Sequence, residues 1–265
     1  MEIACVMCTW NERRTVQLAM ESTKDFVDRY IIVDKGSDDG TIEAIEECKD
    51  KWQLNVDVYV KPGLWLGEAR LFAFNSADEE WILVQDGDEI FHTDGPNSIY
   101  NLRKFLKFQD VVYAAPMNVL CGDFLHTNKN LPRQPPHSFL YHNNKTFYIE
   151  RRGDLPEMMG IEIVLPRVYK FNCGVKSPKR VFLRQYWFEW CVQTDAFKRY
   201  DNVEEYVKAK LKIRDLEVLA KQWYENVYSS MLMPYEENKY GYYPKVIRKA
   251  IAQGLIRGYD QDRLL

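Results

Sequence analysis

Long apolar runs are absent from this sequence of 265 residues. No window approaches the roughly 18 consecutive apolar residues that a membrane-spanning helix needs. The sequence begins at Met1 and enters an apolar stretch at Ile3, with neither a basic segment nor a long apolar leader before it, so a secretion signal is not predicted. These features predict a cytoplasmic protein without a transmembrane segment.

An excess of charge of one sign is also lacking. The 36 Lys and Arg residues stand against 39 Asp and Glu residues, and the formal net charge is −3. A general basic field of the kind that attracts nucleic acids is therefore not expected.

Cysteines are few, and their spacing is not that of a disulfide framework. The six cysteines are scattered along the chain, as is common in cytosolic proteins. Cys5 and Cys8 form a C-x-x-C pair, but they lie in a predicted strand, where residues three apart point to opposite faces. We therefore expect them in the core rather than on one metal ion.

Two glycine-rich phosphate motifs are missing as well. The 13 glycines form neither G-x-G-x-x-G nor G-x-x-x-x-G-K-[ST], which argues against a dinucleotide-dependent oxidoreductase and a P-loop enzyme. Aromatic residues, in contrast, are plentiful, with 17 Tyr, 13 Phe and 7 Trp. They indicate a Tyr-rich core and are also suited to a surface that binds sugars.

The first half of the chain alternates apolar runs with helical patterns. Strands are predicted at residues 3–9, 29–34, 56–61 and 81–85, and helices at 12–25, 40–51 and 67–77. This alternation predicts the α/β class, with βαβ units that form a mostly parallel sheet flanked by helices.

The pattern changes after residue 94. We predict a helix at 97–108, a strand at 110–116, a long loop at 121–144, strands at 161–171 and 179–185, a long helix at 201–233 and a short helix from Pro244. A loop as long as 121–144 in a compact domain is typical of a lid or a substrate-binding loop.

Polar motifs follow three of the predicted strands. Thr9-Trp10-Asn11-Glu12 ends the first, residues 34–41 end the second, and Asp86-Gly87-Asp88 follows the fourth. Ligands bind at the carboxyl ends of strands in open α/β sheets. Two carboxylates that flank a glycine suit one Mg²⁺ or Mn²⁺, since both ions take oxygen ligands. A calcium loop does not fit, because Ile90 and Phe91 stand where it needs an oxygen side chain and a glycine.

Four ordered motifs within residues 1–90 resemble those of family 2 glycosyltransferases. The matching segments are residues 8–12 (CTWNE, like YNE), 32–41 (IVDKGSDDGT, like VVDDGSTDGT), 67–70 (GEAR, like G-x-x-R-N) and 81–89 (WILVQDGDE, like W-V-L-x-L-D-A-D-E). Residues 166–170 (PRVYK) also resemble the PRLFR strand of the lipopolysaccharide-type members, which are the nearest subgroup. The resemblance implies a GT-A nucleotide-diphospho-sugar transferase fold and an inverting, metal-dependent transfer from a nucleotide-sugar, most often a UDP-sugar.

The same resemblance implies a donor site and a metal site. It places Asp34 on the base of the nucleotide. The other implied donor-binding residues are Thr9, Trp10, Asn11, Glu12, Gly67, Arg70, Asp86 and Gly87. Arg70 would either approach the nucleotide or brace the acidic motif, and Asp88 together with Asp86 would ligate Mn²⁺ or Mg²⁺.

Several positions depart from the family pattern. Lys35 replaces the usual second Asp, Leu71 replaces an Asn, and Gln85 replaces an apolar residue. Where the lipopolysaccharide-type members have a His-Glu pair after PRLFR, this sequence has Gly174-Val175-Lys176. A metal ligand or a base is therefore not carried over from that region.

An inverting transfer needs a base for the proton of the acceptor. Three carboxylates just before Pro166 are the candidates: Asp154, Glu157 and Glu162. We favour Glu162, because Gly160 and the strand that follows fix it near the edge of the sheet. In the predicted loop, His137 and His142 are candidates for contact with the metal or the acceptor.

The predicted organisation has a nucleotide-sugar-binding half (1–115), an acceptor-side half of the same domain (116–195) and a helical C-terminal extension (196–265). The helix at 201–233 either packs on the rest of the chain or forms a homodimer contact. The acceptor stays open among a glycan, a lipid-linked sugar, a protein and a modified nucleic-acid base.

Two other functions are compatible with a fold of this kind. A sugar nucleotidyltransferase needs a glycine-rich loop after the first strand, but residues 10–14 (WNERR) contain no glycine. A non-catalytic protein that binds nucleotides or carbohydrates is the second alternative, and the intact Asp86–Asp88 pair argues against it.

Overall fold

The structure is a computed structural model, and it describes residues 1–106, 110–145, 147–148, 157–158, 161–194 and 196–254. None of the helices in these segments combines the length and the apolarity that crossing a membrane requires.

The N-terminal half is a parallel α/β unit with the predicted order of elements. These are β1 (Ile3–Thr9), α1 (Arg13–Thr23), β2 (Arg29–Asp34), α2 (Thr41–Trp52), β3 (Val56–Val60), α3 (Leu66–Ser76) and β4 (Trp81–Val84). Every residue of β1 is buried, as expected of a strand that helices cover on both faces. The seven predictions for this half are confirmed, with ends that shift by at most two residues.

The second half contains two long strands, several short ones and a group of helices. The strands are β5 (Glu89–Phe91), β6 (Val111–Cys121), β7 (His126–Asn128), β8 (Arg133–His142), β9 (Phe147–Tyr148), β10 (Glu157–Met158), β11 (Ile161–Val164), β12 (Lys170–Gly174) and β13 (Leu232–Pro234). The helices are α4 (Pro178–Phe188), α5 (Val203–Leu211), α6 (Leu216–Trp223), α7 (Glu237–Tyr240) and α8 (Lys245–Ala252).

One mixed sheet runs through both halves, in the order β3-β2-β1-β4-β8-β6-β12-β5, and β11 pairs with the first part of β6. Strands β1 to β4 are parallel where they pair, and β11 and β12 are parallel to β6. β8 is antiparallel to both β4 and β6, and it joins the two parallel groups. The sheet is therefore mostly parallel, as predicted. The proposed boundary at 115/116 falls within β6, and the division into halves stays a prediction.

The predicted loop at 121–144 is wrong, because most of it is β7 and β8. Pro135 and Pro136 suggested a loop. In the structure both residues belong to β8, at a point where its pairing with β6 is irregular. The later part of β8, Phe139-Leu140-Tyr141, is buried between β4 and β6. Pairing on both sides thus decides the conformation, and it outweighs the local composition.

The predicted strand at 179–185 is also wrong, because these residues belong to helix α4. Ser177 caps the helix by accepting a hydrogen bond from the backbone N–H of Arg180, and Pro178 occupies the first turn. Both are ordinary signals of a helix start. The apolar run Val181-Phe182-Leu183, which suggested a strand, is buried on the helix instead.

Three smaller predictions need correction. The helix at 201–233 is broken into α5 and α6, because Lys212 adopts a left-handed conformation (φ 55°) and Asp215 caps a new helix. The described part of the segment at 97–108 contains a 3₁₀ helix at Ile99–Lys104 rather than an α-helix. The strand at 161–171 is two strands, β11 and β12. The short helix after Pro244 is confirmed as α8, and Gly254 beyond its end has positive φ.

Helices cover the sheet on both faces. α1 and α2 pack together over an apolar cluster that includes Met20, Ile32 and Ile45. α3 covers the opposite face with Ala69, Ala73 and Phe74. A separate apolar cluster holds α4, α5 and α6 together. This arrangement leaves the carboxyl ends of β1, β2 and β4 open to a cleft that α4 borders.

His92 makes the stability of this fold depend on pH. Burial lowers the pKa of His92 to about 4, whereas the pKa in an unfolded chain is about 6.5. Between these values the unfolded chain binds the proton more readily, so the folded state loses stability as the pH falls from about 6.5 to about 4. Replacing His92 with Gln should remove about 2–3 kcal/mol of this loss.

Urea denaturation at pH 7 and at pH 4.5 tests this expectation. The difference in the free energy of unfolding between the two pH values should be smaller in His92→Gln than in the wild type. An equal difference in both proteins would show that His92 does not carry the effect.

Candidate active site

The carboxyl ends of β1, β2 and β4 meet at one edge of the sheet, beside a cleft of about 1030 Å³. Thr9 at the end of β1 donates a hydrogen bond from Oγ1 to Oδ2 of Asp34 at the end of β2, over 2.8 Å. The segment that carries Asp86 and Asp88 follows β4, and both side chains line the cleft. The predicted convergence of the three motifs is therefore present.

Asp34 is fully buried and accepts its hydrogen bonds from its own surroundings. Oδ1 accepts from the backbone N–H groups of Gly36 (2.9 Å) and Ser37 (2.7 Å), and Oδ2 accepts from the hydroxyls of Thr9 and Ser37. These bonds hold the loop between β2 and α2, in which Gly36 has a φ of +89°. Other residues of that loop line the cleft in its place, namely Lys35, Gly36, Asp38 and Asp39. Contact of Asp34 with a base stays a prediction.

Two loops at this edge are tied together by Asn11. Its Nδ2 donates to Oδ1 of Asp38 over 2.9 Å, and its backbone N–H donates to Oγ of Ser37 over 2.8 Å. Gly87 contributes through its lack of a side chain, because a Cβ there would lie 3.1 Å from side-chain atoms of Glu12 and Thr9. Gly67 is buried in the first turn of α3. Asn11, Gly87 and Gly67 were predicted for the donor site, as were Glu12 and Thr9, whereas Ser37 and Asp38 were not.

Arg70 braces Asp86, which is one of the two roles predicted for it. Nη2 of Arg70 donates to both carboxylate oxygens of Asp86, at 2.7 and 2.5 Å. The arginine is 5% exposed. Burial is the largest single influence on its pKa and lowers it, but the charge and hydrogen bonds of Asp86, together with Cys8 and Glu89, outweigh burial, and the net shift of the pKa is upward. The guanidinium therefore stays charged and fixes Asp86 at the floor of the cleft.

Asp88 has a cationic partner as well, and sequence reasoning missed it. Nζ of Lys176 lies 3.0 Å from Oδ2 of Asp88 and also donates to Oε1 of Glu12. All three side chains are at most 10% exposed. Burial lowers the pKa of Lys176, but Asp88 and Glu12 outweigh that effect and raise it. Burial raises the pKa of Asp88, but Lys176 first of all, then Arg184 and Arg180, bring the pKa below its ordinary value.

Arg180 on α4 adds a second cation to this wall of the cleft. Its guanidinium carbon lies 3.9 Å from the ring centroid of Trp10, and Nη2 lies 3.5 Å from Oε1 of Glu12. Nε and Nη1 are buried, and within the described residues they have no hydrogen-bond partner. Arg184, one turn further along α4, also lines the cleft. The Ser177-Pro178 helix start is the sequence signal that places these arginines on one helix face.

Of the predicted bases and histidines, Glu162, His137 and His142 are described, and they lie outside the cleft. Glu162 is exposed on β11, accepts a hydrogen bond from Ser138 Oγ over 2.6 Å, and does not line the cleft. Glu157 is on β10, but its side chain is outside the described part, and Asp154 lies outside the described residues. His137 is half-buried on β8, and burial lowers its pKa. His142 packs against Trp81, and neither histidine lines the cleft.

The donor set does not fit a divalent cation as it is arranged. Mg²⁺ requires near-octahedral oxygen ligands, yet both oxygens of Asp86 accept from Arg70, and an ammonium group lies 3.0 Å from Asp88. Among the residues that the structure describes, no group of three or more His, Cys, Asp or Glu side chains is placed to hold a metal ion. Binding a divalent cation here would require Lys176 to move.

Comparison with known families decides what kind of chain carries this site. The profile described as glycosyl transferase family 2 matches residues 4–172, which is more than half of the sequence. The chain belongs to glycosyl transferase family 2. Its mixed sheet with flanking helices is the GT-A fold that the sequence predicted. The narrower resemblance to the lipopolysaccharide-type members stays a prediction.

The following proteins resemble this chain at a distance. An uncharacterised glycosyltransferase of Rickettsia felis is 37% identical over 90 residues, which is 33% of this chain and 29% of that protein. Among solved structures, S. aureus TarS 1-349 in complex with UDP has 18% identity and a TM-score of 0.48, over 69% of this chain and 63% of that one. Glucosyl-3-phosphoglycerate synthase from Mycobacterium tuberculosis, in complex with Mn²⁺, UDP and glucosyl-3-phosphoglycerate, has 20% identity and a TM-score of 0.31, over 45% and 43% of the two chains.

Proposed function

We propose that this family 2 chain transfers a sugar, with inversion, from a nucleotide-sugar to an acceptor hydroxyl or amine, and that the nucleotide is UDP. The observation that carries the proposal is the meeting of Glu12, Asp86 and Asp88 with the cationic side chains of Lys176 and Arg180 in one cleft at the carboxyl ends of β1 and β4. Ligands bind at this edge in open α/β sheets.

The charges of the cleft suit the leaving group of such a reaction. The bond between the anomeric carbon and the diphosphate breaks, and the diphosphate takes the electron pair, so negative charge grows on it in the transition state. Fixed cations beside that charge lower the barrier. Lys176 is held by two carboxylates, and Arg180 is held by the Trp10 ring, so both are positioned before the reaction.

The acceptor attacks from the opposite side of the anomeric carbon and loses its proton to a base. The sequence candidates Glu162, Glu157 and Asp154 stay proposals for this base. We place the nucleoside beside Trp10, Asn11 and the β2–α2 loop, because these line the same cleft next to the cations.

Dependence on Mn²⁺ or Mg²⁺ at Asp86 and Asp88 stays a prediction of the sequence, and the ion pairs of both carboxylates stand against it. The acceptor class, a cytoplasmic location and a homodimer also stay predictions.

A panel of nucleotide-sugars tests the proposal. The chain should release UDP from a UDP-sugar when a suitable acceptor is present, or slowly by hydrolysis, and isothermal titration should detect binding of UDP. Absence of both UDP binding and UDP release, with GDP tested alongside, would contradict the proposed function.

Trp10 offers a sharper test of where the nucleotide binds. Trp10→Leu removes the ring that holds Arg180 in the cleft. Loss of this cation–π interaction should raise the Kd for UDP about three- to thirtyfold. Trp52→Leu is the matched control, because Trp52 also carries a cation over its ring, that of Lys51, but lies at the end of α2 away from the cleft. An equal Kd in Trp10→Leu and Trp52→Leu would contradict this placement.

A further inference from the structure

We propose that Lys176 is a built-in cation of the donor site and that this chain binds a nucleoside diphosphate without a divalent metal ion. The inference rests on the proposed function, which it deepens, because it says how the site neutralises the diphosphate.

The position of Lys176 is the first argument. The residue lies in the connection between β12 and α4, and its ammonium group lies between the carboxylates of Glu12 and Asp88. Asp88 belongs to the acidic motif in which a metal ion was expected. An ammonium group that contacts two buried carboxylates supplies positive charge at that point and leaves no oxygen-lined space for a second cation.

The state of Asp86 is the second argument. A metal ion shared by the two aspartates would need oxygens of both, but Arg70 uses both oxygens of Asp86. Arg70 and Asp86 form a pair in which the arginine side chain is 7% exposed. Metal binding would therefore bring a divalent cation against the Arg70 guanidinium and displace Lys176 from Asp88, and breaking one buried pair is already strongly unfavourable.

Arg180 supplies the third argument, which is independent of the acidic motif. Its buried Nε and Nη1 have no hydrogen-bond partner among the described residues, and leaving such donors unsatisfied is costly. The guanidinium is fixed in the cleft by Trp10 and Glu12. An arginine N–H donor forms a strong, charge-assisted hydrogen bond with a phosphate oxygen. Lys176 and Arg180 thus form a pair of cations that can take the two phosphates of a nucleoside diphosphate.

Isothermal titration of UDP with and without metal tests the inference directly. In buffer with EDTA the wild type should bind UDP, and added Mn²⁺ should change the Kd by less than about threefold. Mn²⁺ titration followed by electron paramagnetic resonance should detect no tight site in the wild type. UDP binding that requires Mn²⁺ would overturn the inference but leave the proposed function intact, whereas absence of UDP binding in both buffers would count against the proposed function itself.

Substitutions of Lys176 make the test specific. Lys176→Met keeps most of the side-chain volume and removes the charge, so the Kd for UDP in EDTA should rise about ten- to a hundredfold, the effect of losing charge-assisted hydrogen bonds. Lys176→Arg keeps the charge and should bind UDP in EDTA within about tenfold of the wild type. Lys24→Met is the matched control, because Lys24 pairs with Asp25 at the far end of α1, and its Kd should not change.

A wild-type Kd in folded Lys176→Met would overturn the inference. Circular dichroism and thermal unfolding establish whether this variant folds. If it does not fold, the wild type and Lys176→Arg in EDTA decide the question, because loss of UDP binding there, with restoration by Mn²⁺, contradicts a built-in cation.

Discussion

In the Asp88→Asn variant we expect the rate constant of sugar transfer, kcat, to fall about 10²- to 10³-fold, while the Kd for UDP changes by less than about threefold. Asp88 holds Lys176 at 3.0 Å from its Oδ2, and asparagine offers only a neutral oxygen at that point. The lysine would then shift toward Glu12, its other partner. Loss of one preorganised electrostatic group in an active site typically lowers the rate by this amount.

The affinity for UDP should survive because the substitution removes a negative charge from a site that binds an anion. A fall in kcat without a change in the Kd for UDP distinguishes two roles for Asp88. A residue that positions Lys176 changes kcat and leaves UDP binding nearly intact, whereas a metal ligand needed for the diphosphate would lose both together.

Steady-state kinetics with a UDP-sugar, combined with titration of UDP, separates kcat from binding. Asp25→Asn is the matched control, since Asp25 makes the same kind of contact with Lys24 at the surface, and both of its parameters should equal those of the wild type. A variant Asp88→Asn with wild-type kcat would contradict any role of Asp88 in the reaction.

The N-terminal half could be predicted well from the sequence, and the reason is physical. A strand buried on both faces, such as β4 (Trp81–Val84), must be apolar throughout, and the helices between such strands show their own period. Because parallel strands all end at one edge, the meeting of Thr9, Asp34 and Asp86 followed from their positions after the strands.

The second half could not be predicted as well, because long-range pairing decides it. The prolines and asparagines around β8 favoured a loop, but β4 and β6 supply hydrogen-bond partners on both sides of that segment. Local sequence carries no information about such partners. As a result β8, which joins β4 to β6, was missed, and the cleft wall formed by α4 was not foreseen.

The cations of the site were missed for a related reason. Lys176 and Arg180 stand more than 160 residues after Glu12 in the chain, and they meet it only because α4 packs beside the edge of the sheet. Arg180 lay in a predicted strand and Lys176 in the segment before it, and neither assignment gave a sign of that position. Ser177 and Pro178 were the available signal, since together they indicate a helix start.

Gln85 illustrates a further limit. It departs from the apolar residue of the family pattern, and it is fully buried. Its Nε2 donates to the backbone carbonyls of Ala19 and Glu89, and its Oε1 accepts from Thr23. The side chain therefore links α1 to the segment after β4. A buried polar residue is tolerated when it is fully hydrogen-bonded, but the sequence does not reveal which partners it has.

The ion pair between Lys170 and Glu89, which lies below the site, should carry the largest effect on stability. Nζ of Lys170 lies 2.8 Å from both carboxylate oxygens of Glu89, and the two side chains are 3% and 7% exposed. Lys170→Met leaves an unpaired carboxylate in the core, so we expect the free energy of unfolding to fall by about 3–5 kcal/mol. Lys210→Met, which breaks an exposed pair with Glu189, is the control and should cost at most about 1 kcal/mol.

The double variant Lys170→Met/Glu89→Gln separates the ion pair from packing. It removes both charges, so much of the lost stability should return, because a neutral replacement of a buried pair often costs little.

The dependence of the stability on pH provides a second check. Burial raises the pKa of Glu89 even beside Lys170, and without the lysine the pKa must rise further. A carboxyl whose pKa is raised by folding favours the folded state at low pH and loses that contribution as the pH rises through the raised pKa. Urea denaturation should therefore give a smaller deficit for Lys170→Met at pH 5 than at pH 8. A deficit that is independent of pH, or a double variant whose loss equals the sum of the two single losses, would mean that packing rather than charge pairing stabilises this part of the core.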